Sequence, residues 1–327
     1  MLKGKRILIT GGAGFIGSNL CEYFLQNNTV VCFDNLATGH KENILPFLNA
    51  PNFKFIEGDI RNLKQCKDAL QNIDIVLHQA ALGSVPRSIA DPITSNEVNV
   101  TGFLNMLHAA HEAGIKRFVY ASSSSVYGDL ETLPKTEDKI GLPMSPYAVT
   151  KLMNEHYAQV FHRLHGMEII GLRYFNVFGK NQDPNGQYAA AIPRFIKGII
   201  DNVPPSIFGD GSQTRDFTYI RNVIHANEMA ALCTNPTAFG KAFNIAYGHQ
   251  TTVNELIQVL LIEVAKHLPE KKEKILSLDP NYLPERKGDV KFSRASIAFA
   301  STVLNYHPQY DFEKGIQEAV EWYVKNL

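Results

Sequence analysis

Short apolar runs alternate with stretches of helical spacing along the first half of the chain. Runs such as RILIT and TVVCF have apolar residues at successive positions, which is typical of strands buried on both faces of a sheet. The segments between them carry apolar residues three and four positions apart, which indicates amphipathic helices. The pattern predicts strands over Arg6–Thr10, Thr29–Phe33, Phe53–Glu57, Asp74–His78, Lys116–Ala121 and Glu168–Arg173, and helices over Gly14–Gln26, Lys41–Leu48, Leu63–Leu70, Ile93–Glu112 and Tyr147–His165.

The regular alternation ends after Arg173. Asn-Gly, Pro-Pro and Asp-Gly pairs mark turns between residues 180 and 217. Helical spacing then returns, and the stretch 269–294 is charged and irregular; the predicted helices are Arg221–Cys233, Val253–His267 and Phe312–Lys325. The first half therefore predicts βαβ units in a parallel sheet with both faces covered. The second half predicts a smaller mixed lobe, and we expect an α/β fold whose two lobes pack tightly.

The composition is that of an ordinary soluble globular protein. Of 327 residues, 45% are hydrophobic and 20% are charged, which argues against disorder and leaves room for about two domains. Lys and Arg together number 32, as do Asp and Glu, so no net charge would attract nucleic acid or an anionic membrane. The apolar runs are too short for a membrane span or a signal peptide. A charged ligand must therefore be held by a few local groups.

Cysteine and histidine spacing gives no sign of a metal centre. Cys21, Cys32, Cys66 and Cys233 are too scattered for a C-x-x-C site or a disulfide framework. Reduced thiols and a cytoplasmic location are the simplest expectation. The histidines, including His78, lack metal-ligand spacing, so we predict no metal and a hydrogen-bonded structural role for His78.

A glycine-rich turn follows the first predicted strand and opens the first predicted helix. Gly11, Gly14 and Gly17 allow a tight turn whose N–H groups can approach a pyrophosphate. Asp34, just after the second predicted strand, could accept hydrogen bonds from a ribose 2′-hydroxyl and would repel a 2′-phosphate, which favours NAD over NADP. The alternative is an ordinary turn with an incidental aspartate. Asp59 follows the third strand and could face an adenine edge or cap the helix that comes next.

A tyrosine and a lysine with helical spacing are candidates for acid–base chemistry. Tyr147 and Lys151 lie on one helix face, where an ammonium would lower the tyrosine pKa and provide a base near neutral pH. A serine run that includes Ser123 follows the fifth strand, at the carboxyl edge where open α/β sheets bind ligands. Tyr310 and Lys314 repeat the spacing in a surface-like segment without such a run upstream. The competing interpretations are a polar loop for the serines and a core aromatic for Tyr147.

Longer motifs identify a family. TGGAGFIGS, FDN, GDI, HQAA, NVTG, SSSSVYGD and SPYAVTK resemble the extended short-chain dehydrogenase/reductase superfamily. Within it, GLRYFNVFGKNQDPNGQYAAAIPRF, GDGSQTRDFTYI and RKGDVKFS resemble the UDP-hexose 4-epimerases, and SVPRS and QDPNG are most similar to the bacterial UDP-N-acetylglucosamine 4-epimerase branch. The resemblance covers nearly the whole chain. It implies a Rossmann-type doubly wound sheet with tightly bound NAD, a smaller C-terminal lobe for a UDP-sugar, and a role in surface polysaccharide synthesis.

The resemblance also implies an assembly and a domain division. It implies a homodimer whose interface packs the helices near 93–112 and 147–165 into a four-helix bundle. The NAD-binding domain would comprise 1–176 with about 216–247 and 296–306, and the UDP-sugar-binding domain 177–215, 248–295 and 307–327.

The implied chemistry is a redox cycle at C4 of the sugar. Tyr147, as a phenolate, would take the O4 proton while a hydride passes to NAD, Lys151 would lower the Tyr147 pKa and hold the nicotinamide ribose, and Ser123 would hydrogen-bond O4. Asn99 is expected to stabilise the strand end beside the site. The implied cofactor contacts are Gly11, Gly14, Phe15, Ile16, Gly17, Asp34, Asn35, Asp59, Ile60, Gln79, Ala80, Ala81, Asn99, Ser122, Tyr147, Lys151, Tyr174 and Val177.

The implied substrate contacts come mostly from the second half. They are Gly83, Ser84, Ser123, Ser124, Ser125, Asn176, Gln182, Ala190, Ile192, Phe208, Arg215, Arg286, Asp289 and Ser293. Arg215 and Arg286 match the diphosphate arginines, whose planar donor fork suits phosphate. Ser293 matches the position that gates the C2 substituent, where enzymes restricted to UDP-glucose and UDP-galactose carry a tyrosine. The alternative is that Ser293 caps a nearby helix.

Three other functions compete with 4-epimerisation of a UDP-N-acetylhexosamine or its uronic acid. UDP-glucose 4-epimerisation differs only in the C2 substituent. A nucleotide-sugar 4,6-dehydratase needs an acid–base pair in the segment after the fifth strand, and this segment of the chain reads Ser123-Ser124-Ser125-Val126-Tyr127. A non-catalytic NAD-binding scaffold would usually have lost Tyr147 or Lys151. The C6 group of the sugar is left open between hydroxymethyl and carboxylate.

Overall fold

The structure, a computed structural model, describes residues 1–186, 189–285 and 291–327. Its strands in chain order are β1 (Arg6–Thr10), β2 (Thr29–Asp34), β3 (Phe53–Glu57), β4 (Ile75–His78), β5 (Arg117–Ser123), β6 (Glu168–Tyr174), β7 (Val177–Phe178), β8 (Ser206–Phe208), β9 (Thr214–Arg215), β10 (Thr218–Tyr219), β11 (Lys241–Ile245), β12 (Thr251–Thr252) and β13 (Asn281–Leu283). Its α-helices are α1 (Phe15–Leu25), α2 (Leu63–Ala69), α3 (Val85–Ala90), α4 (Pro92–Asn96), α5 (Phe103–Glu112), α6 (Pro146–His165), α7 (Ala191–Ile200), α8 (Ile220–Leu232), α9 (Val253–His267), α10 (Lys272–Leu276), α11 (Ala298–Leu304) and α12 (Phe312–Asn326).

A parallel sheet of seven strands forms the centre of the molecule. Its strand order is β11-β6-β5-β4-β1-β2-β3, and every neighbouring pair is parallel. The chain winds outward from β1 to β3 and then returns to the other side of β1 with β4. Ligands in such sheets bind at the carboxyl ends of the strands next to this reversal. The predicted doubly wound Rossmann-type fold is confirmed.

The uniform hydrophobicity of the strands follows from two cores, one on each face. In β1, Ile7 and Ile9 pack in one core and Leu8 packs in the other, and all three are fully buried. The first core also takes Phe24 from α1, and the second takes Met106 from α5. A strand covered on both faces needs apolar side chains at successive positions, as the RILIT run has.

Two predicted helices differ from the observed structure. In place of a helix over Lys41–Leu48, two short 3₁₀ turns occupy Lys41–Asn43 and Leu45–Phe47. Pro46 lacks the N–H that an uninterrupted α-helix requires there. The helix predicted over Ile93–Glu112 consists of α4, a π-helical segment over Glu97–Gly102, and α5.

The second half contains more regular structure than the turn signals suggested. Helix α7 lies within the 180–217 region, and α10 and β13 lie within the stretch predicted to be irregular. Strand β11 joins the central sheet beside β6, although the apolar pattern marked no strand there. The predicted helices of this half correspond to α8, α9 and α12. The four cysteines are free and buried. Within the described ranges, no helix is both long and apolar enough to cross a membrane.

Candidate active site

The glycine-rich turn between β1 and α1 leaves no room for side chains. Gly11 has a φ of +66°, and a Cβ atom there would lie 2.7 Å from the backbone N of Ala80. A Cβ atom on Gly17 would lie 2.0 Å from the Gly11 carbonyl oxygen. Gly14 is the N-cap of α1 and has no side chain that could cap the helix. The first backbone N–H groups of α1 therefore have no side-chain cap from this residue. Such a helix start is an anion-binding site suited to a pyrophosphate.

Beside this turn lies a cavity of about 420 Å³, which we call the cofactor cavity. It lies at the carboxyl edge of β1, β2 and β4. Most of the predicted cofactor contacts line it, together with one predicted sugar contact: Gly11, Gly14, Phe15, Ile16, Gly17, Asp34, Asn35, Asp59, Ile60, Gln79, Ala80, Ala81 and Gly83.

The two aspartates of this cavity are held differently. Asp34 accepts hydrogen bonds from the backbone N–H of Ala13 (3.0 Å) and of Leu36 (2.7 Å). These bonds lower the pKa of Asp34, but burial raises it by more, so the pKa lies above its usual value. Asp59 is paired with Arg61 at 2.6 Å, and hydrogen bonding to that guanidinium lowers its pKa. The alternative role of Asp59 as a helix cap is wrong, because Asn62 caps α2.

The predicted catalytic residues meet where β5 ends beside the start of α6. Ser145 caps α6 by accepting a hydrogen bond from the N–H of Ala148 at 3.2 Å. Tyr147 lies in the first turn, with its phenol beside the Ser123 side chain. Lys151 donates to the carbonyl oxygen of Ala121 at 2.8 Å, and its ammonium lies 5.9 Å from the centre of the Tyr147 ring.

The pKa of the tyrosine moves in the opposite direction from the one expected. Burial raises the pKa of Tyr147, and the hydrogen bond with Ser123 opposes this rise. Burial also lowers the pKa of Lys151 to about 8, and the negative charge of Glu155 opposes that fall. In this geometry burial disfavours the charged form of both side chains, so a lowering of the tyrosine pKa by Lys151 is not observed.

A buried ion pair that the sequence analysis missed supports the catalytic strand end. Glu155 accepts a hydrogen bond from the Ser122 hydroxyl at 2.6 Å and pairs with Arg173 at 2.8 Å. Arg173 also donates to the Tyr127 hydroxyl at 2.9 Å. The Ser122 hydroxyl, predicted to contact the cofactor, is thus bonded to Glu155. Glu155 lies one helical turn beyond Lys151, and this spacing was the available sequence signal.

The loop after β4 is held to the rest of the site by two amide side chains. Asn99, in the π-helical segment, accepts from the Leu82 N–H at 2.7 Å and donates to the Leu82 carbonyl at 3.1 Å. Gln79 accepts a hydrogen bond from the Tyr174 hydroxyl at 3.1 Å. A π-helical turn often occurs at a functional site, and here it contributes Asn99. Asn99 therefore holds the loop that follows β4 in place.

Two smaller cavities lie beyond the catalytic residues and share Asn176 and Arg215. One, of about 250 Å³, is called the nucleotide-side cavity, and the other, of about 210 Å³, the sugar-side cavity. Asn176 has a φ of +32° and donates to the Asp216 carbonyl at 3.1 Å. The predicted residues of the nucleotide-side cavity are Asn176, Val177, Gln182, Ala190, Ile192, Phe208 and Arg215; those of the sugar-side cavity are Ser124, Ser125, Asn176, Arg215 and Ser293. Val177, predicted to contact the cofactor, thus lines the nucleotide-side cavity.

The remaining predicted substrate residues are placed as follows. Ser293 lines the sugar-side cavity, and because α11 begins only at Ala298, the alternative that Ser293 caps a helix is wrong. Ser84 accepts from the Arg87 N–H at 3.3 Å and caps α3. Arg286 and Asp289 lie outside the described residues.

The other tyrosine–lysine pair lies away from this edge. Tyr310 accepts a hydrogen bond from Arg221 at 2.7 Å, in a polar groove formed largely by α8 and α12. His78 is buried and hydrogen-bonded to the Thr10 hydroxyl at 2.9 Å, and burial lowers its pKa to about 3, which fits its expected structural role. No three His, Cys, Asp or Glu side chains in the described ranges are arranged to hold a metal ion.

Comparisons with known proteins agree with this geometry. The profile of the NAD dependent epimerase/dehydratase family matches residues 7–246. A putative UDP-glucose 4-epimerase of Methanocaldococcus jannaschii is 37% identical over 98% of this chain and 99% of its own. A UDP-N-acetylglucosamine 4-epimerase from Methanobrevibacter ruminantium, solved with UDP-N-acetylmuramic acid, has a TM-score of 0.91 at 36% identity, with 100% of both chains covered.

A second solved structure shows the cofactor. The UDP-glucuronic acid 4-epimerase from Bacillus cereus, in complex with UDP-glucuronic acid and NAD, has a TM-score of 0.88 at 34% identity, with 98% of this chain and 100% of that one covered. The glycine turn, Asp34 and the tyrosine–lysine pair of this chain fit the same chemistry. The chain therefore belongs to the NAD dependent epimerase/dehydratase family, and the predictions of an enzyme with NAD as its cofactor are confirmed.

Proposed function

We propose that this enzyme, a UDP-sugar 4-epimerase, acts on a UDP-N-acetylhexosamine or on the corresponding uronic acid. One observation carries the proposal: Tyr147 and Ser123 lie side by side at the carboxyl edge of the sheet that bears the cofactor cavity, and the neighbouring Ser124 and Ser125 line the sugar-side cavity. A 4-epimerase needs this order of cofactor, proton acceptor and sugar.

The residues of the cofactor cavity fit NAD. The turn at Gly11 and Gly17 allows the close backbone approach that a pyrophosphate requires, and Asp34 offers a carboxylate for a ribose hydroxyl. When bound, NAD supplies a hydride acceptor and donor for C4 of the sugar. A reaction that regenerates its cofactor in every cycle does not require release of that cofactor, so we propose that NAD stays bound.

Proton transfer at O4 is the task of the chain's own residues. Tyr147 takes and returns the proton, and the neighbouring Ser123 hydroxyl favours the phenolate by opposing the rise of the Tyr147 pKa. Since burial raises the Tyr147 pKa, the phenolate depends on nearby positive charge. Lys151 lies one helical turn away and Glu155 helps to keep its ammonium charged, but in this structure that ammonium is bonded to the Ala121 carbonyl and does not itself lower the Tyr147 pKa.

The sugar-side cavity favours epimerisation over 4,6-dehydration. Elimination of water across C5 and C6 requires an acid and a base beside the sugar. Ser124 and Ser125 are the hydroxyl residues at that place, and no described residue lining this cavity is an aspartate or a glutamate. The small Ser293 side chain leaves room for an acetamido group, which supports an N-acetylated sugar over glucose.

We further propose that the chain is divided into an NAD-binding domain and a UDP-sugar-binding domain, and that it forms a homodimer. The cofactor cavity draws its walls from residues 11–98, and the nucleotide-side cavity from 176–256. We propose an NAD-binding domain of 1–176 with about 216–247 and 296–306, supported by the pairing of β11 with β6 in the central sheet, and a UDP-sugar-binding domain of 177–215, 248–295 and 307–327. Exposed apolar side chains on α4 and α6 support a homodimer.

Three substrates compared side by side test the proposed function. The enzyme is incubated with UDP-GlcNAc, UDP-Glc and the uronic acid of UDP-GlcNAc, and kcat/KM is measured for each by separating the C4 epimers. We expect at least one N-acetylated sugar to exceed UDP-Glc by tenfold or more. Preferred turnover of UDP-Glc contradicts the N-acetyl assignment, and a 4-keto-6-deoxy product contradicts epimerisation itself.

A further inference from the structure

The sugar-side cavity contains a buried lysine that the redox cycle does not use. Lys135 lines this cavity together with Ser124, Ser125 and Ser293, and only 4% of its surface is exposed. The Ser125 Oγ atom is buried as well and has no hydrogen-bond partner within the described residues. Lys135 and the serine hydroxyls of this wall can all donate hydrogen bonds, and the wall carries a positive charge from Lys135.

The backbone fixes Lys135 in place. Its N–H donates to the carbonyl of Arg294 at 2.8 Å, and its own carbonyl accepts from the N–H of Ser296 at 2.9 Å and from the side chain of Asn244 at 3.0 Å. These bonds tie Lys135 to the segment just after Ser293. The ammonium donates to the carbonyl oxygen of Leu130. The lysine therefore belongs to the wall of the cavity, not to a flexible surface loop.

The charge of this lysine lacks a close partner of opposite sign. Among the residues that the structure describes, no carboxylate lies within ion-pair distance of the Lys135 ammonium, and Glu131 acts on it from farther away. Burial lowers the pKa of Lys135, and the charge of Glu131 opposes this. An ammonium has three donors, and one carbonyl occupies one of them. Burial of a charge is costly unless an ion or further hydrogen bonds compensate it.

We propose that Lys135 is a specificity-determining residue that binds a carboxylate on the sugar of the substrate. The proposal rests on the function proposed above and names its substrate class: UDP-sugars with an acidic substituent. An entering carboxylate would accept hydrogen bonds from the remaining N–H groups of the Lys135 ammonium and from the hydroxyl of Ser125. It would also neutralise the buried positive charge of Lys135. Two sources share this chemistry, namely a C6 uronate and a carboxylate on an ether arm at C3.

Two other interpretations of Lys135 make different predictions. A lysine that only fixes the loop at Leu130 would support every substrate equally. A lysine that binds the carbonyl of an acetamido group would favour neutral N-acetylated sugars as much as acidic ones. Only a carboxylate partner makes the preference among sugars depend on the lysine charge.

The experiment measures this preference within each variant. For wild type, Lys135→Met and Lys135→Arg, kcat/KM is determined with UDP-GlcNAc, its C6 uronic acid, and UDP-N-acetylmuramic acid, which carries the carboxylate at C3. We expect wild type to prefer one acidic sugar over UDP-GlcNAc, and Lys135→Met to reduce that ratio about 10- to 150-fold, the size of a charged hydrogen bond. Lys135→Arg should keep much of the ratio. The sugar whose ratio falls identifies the source of the carboxylate.

The exposed Lys139, four residues along the chain, provides the matched control. Lys139→Met removes the same charge outside the cavity and should keep the wild-type ratio. Wild-type preference for UDP-GlcNAc, or a Lys135→Met ratio within about threefold of wild type, overturns the proposal. If wild type epimerises none of the sugars, the proposed function fails by itself. The dissociation constants of acidic and neutral UDP-sugars for wild type and Lys135→Met then decide the lysine proposal by the same ratio.

Discussion

Two tyrosines stand four residues before a lysine, and their surroundings give them different chemistry. Tyr147 lies beside Ser123 at the sheet edge, whereas Tyr310 is bonded to Arg221 in a groove away from it. Spacing within a helix thus identifies a pair that can interact, and only the neighbouring strand end determines whether a substrate can reach it.

We expect Tyr147→Phe to lower kcat by about 10²- to 10⁴-fold, the usual contribution of a general acid–base group. The variant keeps the ring and loses only the hydroxyl, so NAD should remain bound. Steady-state turnover and the absorbance of released cofactor check both statements. Tyr310→Phe is the matched control and should stay within about twofold of wild type. A dead Tyr310→Phe variant would show that the other pair is catalytic.

We expect Ser293→Tyr to abolish epimerisation of UDP-GlcNAc selectively. Ser293 lines the sugar-side cavity of about 210 Å³, and a phenol ring there would overlap an acetamido group as the 4-keto sugar turns over. UDP-Glc turnover, where wild type has any, should survive better because its 2-hydroxyl is small. The measurement is kcat/KM for both sugars with both enzymes. An equal loss on both would mean that Ser293 supports the fold or the nucleotide site.

At the scale of elements, the apolar pattern of a segment predicted those strands and helices that depend mainly on neighbouring residues. The strands from Arg6–Thr10 to Glu168–Arg173 are short apolar runs, and each was found close to its predicted bounds. Strand β11 contains the polar Asn244 and becomes a strand through pairing with β6, far away in sequence. The Glu155–Arg173 pair and the environment of Lys135 also depend on residues that are far apart along the chain. They could therefore not be predicted from the sequence.

The ion pair between α6 and β6 should tune the catalytic lysine. Burial lowers the Lys151 pKa to about 8, and Glu155 opposes this shift. Glu155→Gln removes the opposing negative charge, so the Lys151 pKa should fall further and the lysine should lose its proton at lower pH. We expect the alkaline limb of the kcat–pH profile to move to lower pH in this variant.

A matched control for this shift lies at the other end of the same strand pair. Glu168→Gln breaks the ion pair with Arg117, 2.7 Å long, at the amino end of β6. It should leave the pH profile in place. An unmoved profile in Glu155→Gln, with activity reduced at every pH, would mean that the pair has only a structural role.

At the scale of the whole molecule, the cofactor and the two lobes should act as one unit. The cofactor cavity is built from the turn after β1 and the ends of β2, β3 and β4. We expect the purified enzyme to retain NAD, because Asp34 favours the 2′-hydroxyl and the reaction regenerates its cofactor. Denaturation followed by chromatography identifies the released nucleotide. Recovery of NADP, or of no dinucleotide after incubation with NAD, contradicts this expectation.

The helices on the outside of the catalytic strand ends present apolar side chains to solvent. Ile93 on α4 is 69% exposed and Met153 on α6 is 37% exposed, and Ile89 and Val149 lie exposed on α3 and α6. Exposed apolar side chains on helices that pack against one another are typical of a protein interface. Two such faces related by a twofold axis would bring helical segments from each subunit into a four-helix bundle.

We therefore expect the enzyme to sediment at twice the mass of one chain, and Ile93→Glu and Met153→Glu to give monomers. A carboxylate placed in the centre of an apolar interface would be buried without a partner. The free-energy cost of burying that charge exceeds the binding free energy that a typical interface residue contributes. Ile262→Glu, on α9 and 48% exposed, provides the matched control and should stay dimeric. Sedimentation velocity at micromolar concentration measures all four proteins.

Because α6 carries both Met153 and the Tyr147–Lys151 pair, loss of the dimer should also lower turnover. A monomeric variant with full activity would separate assembly from catalysis.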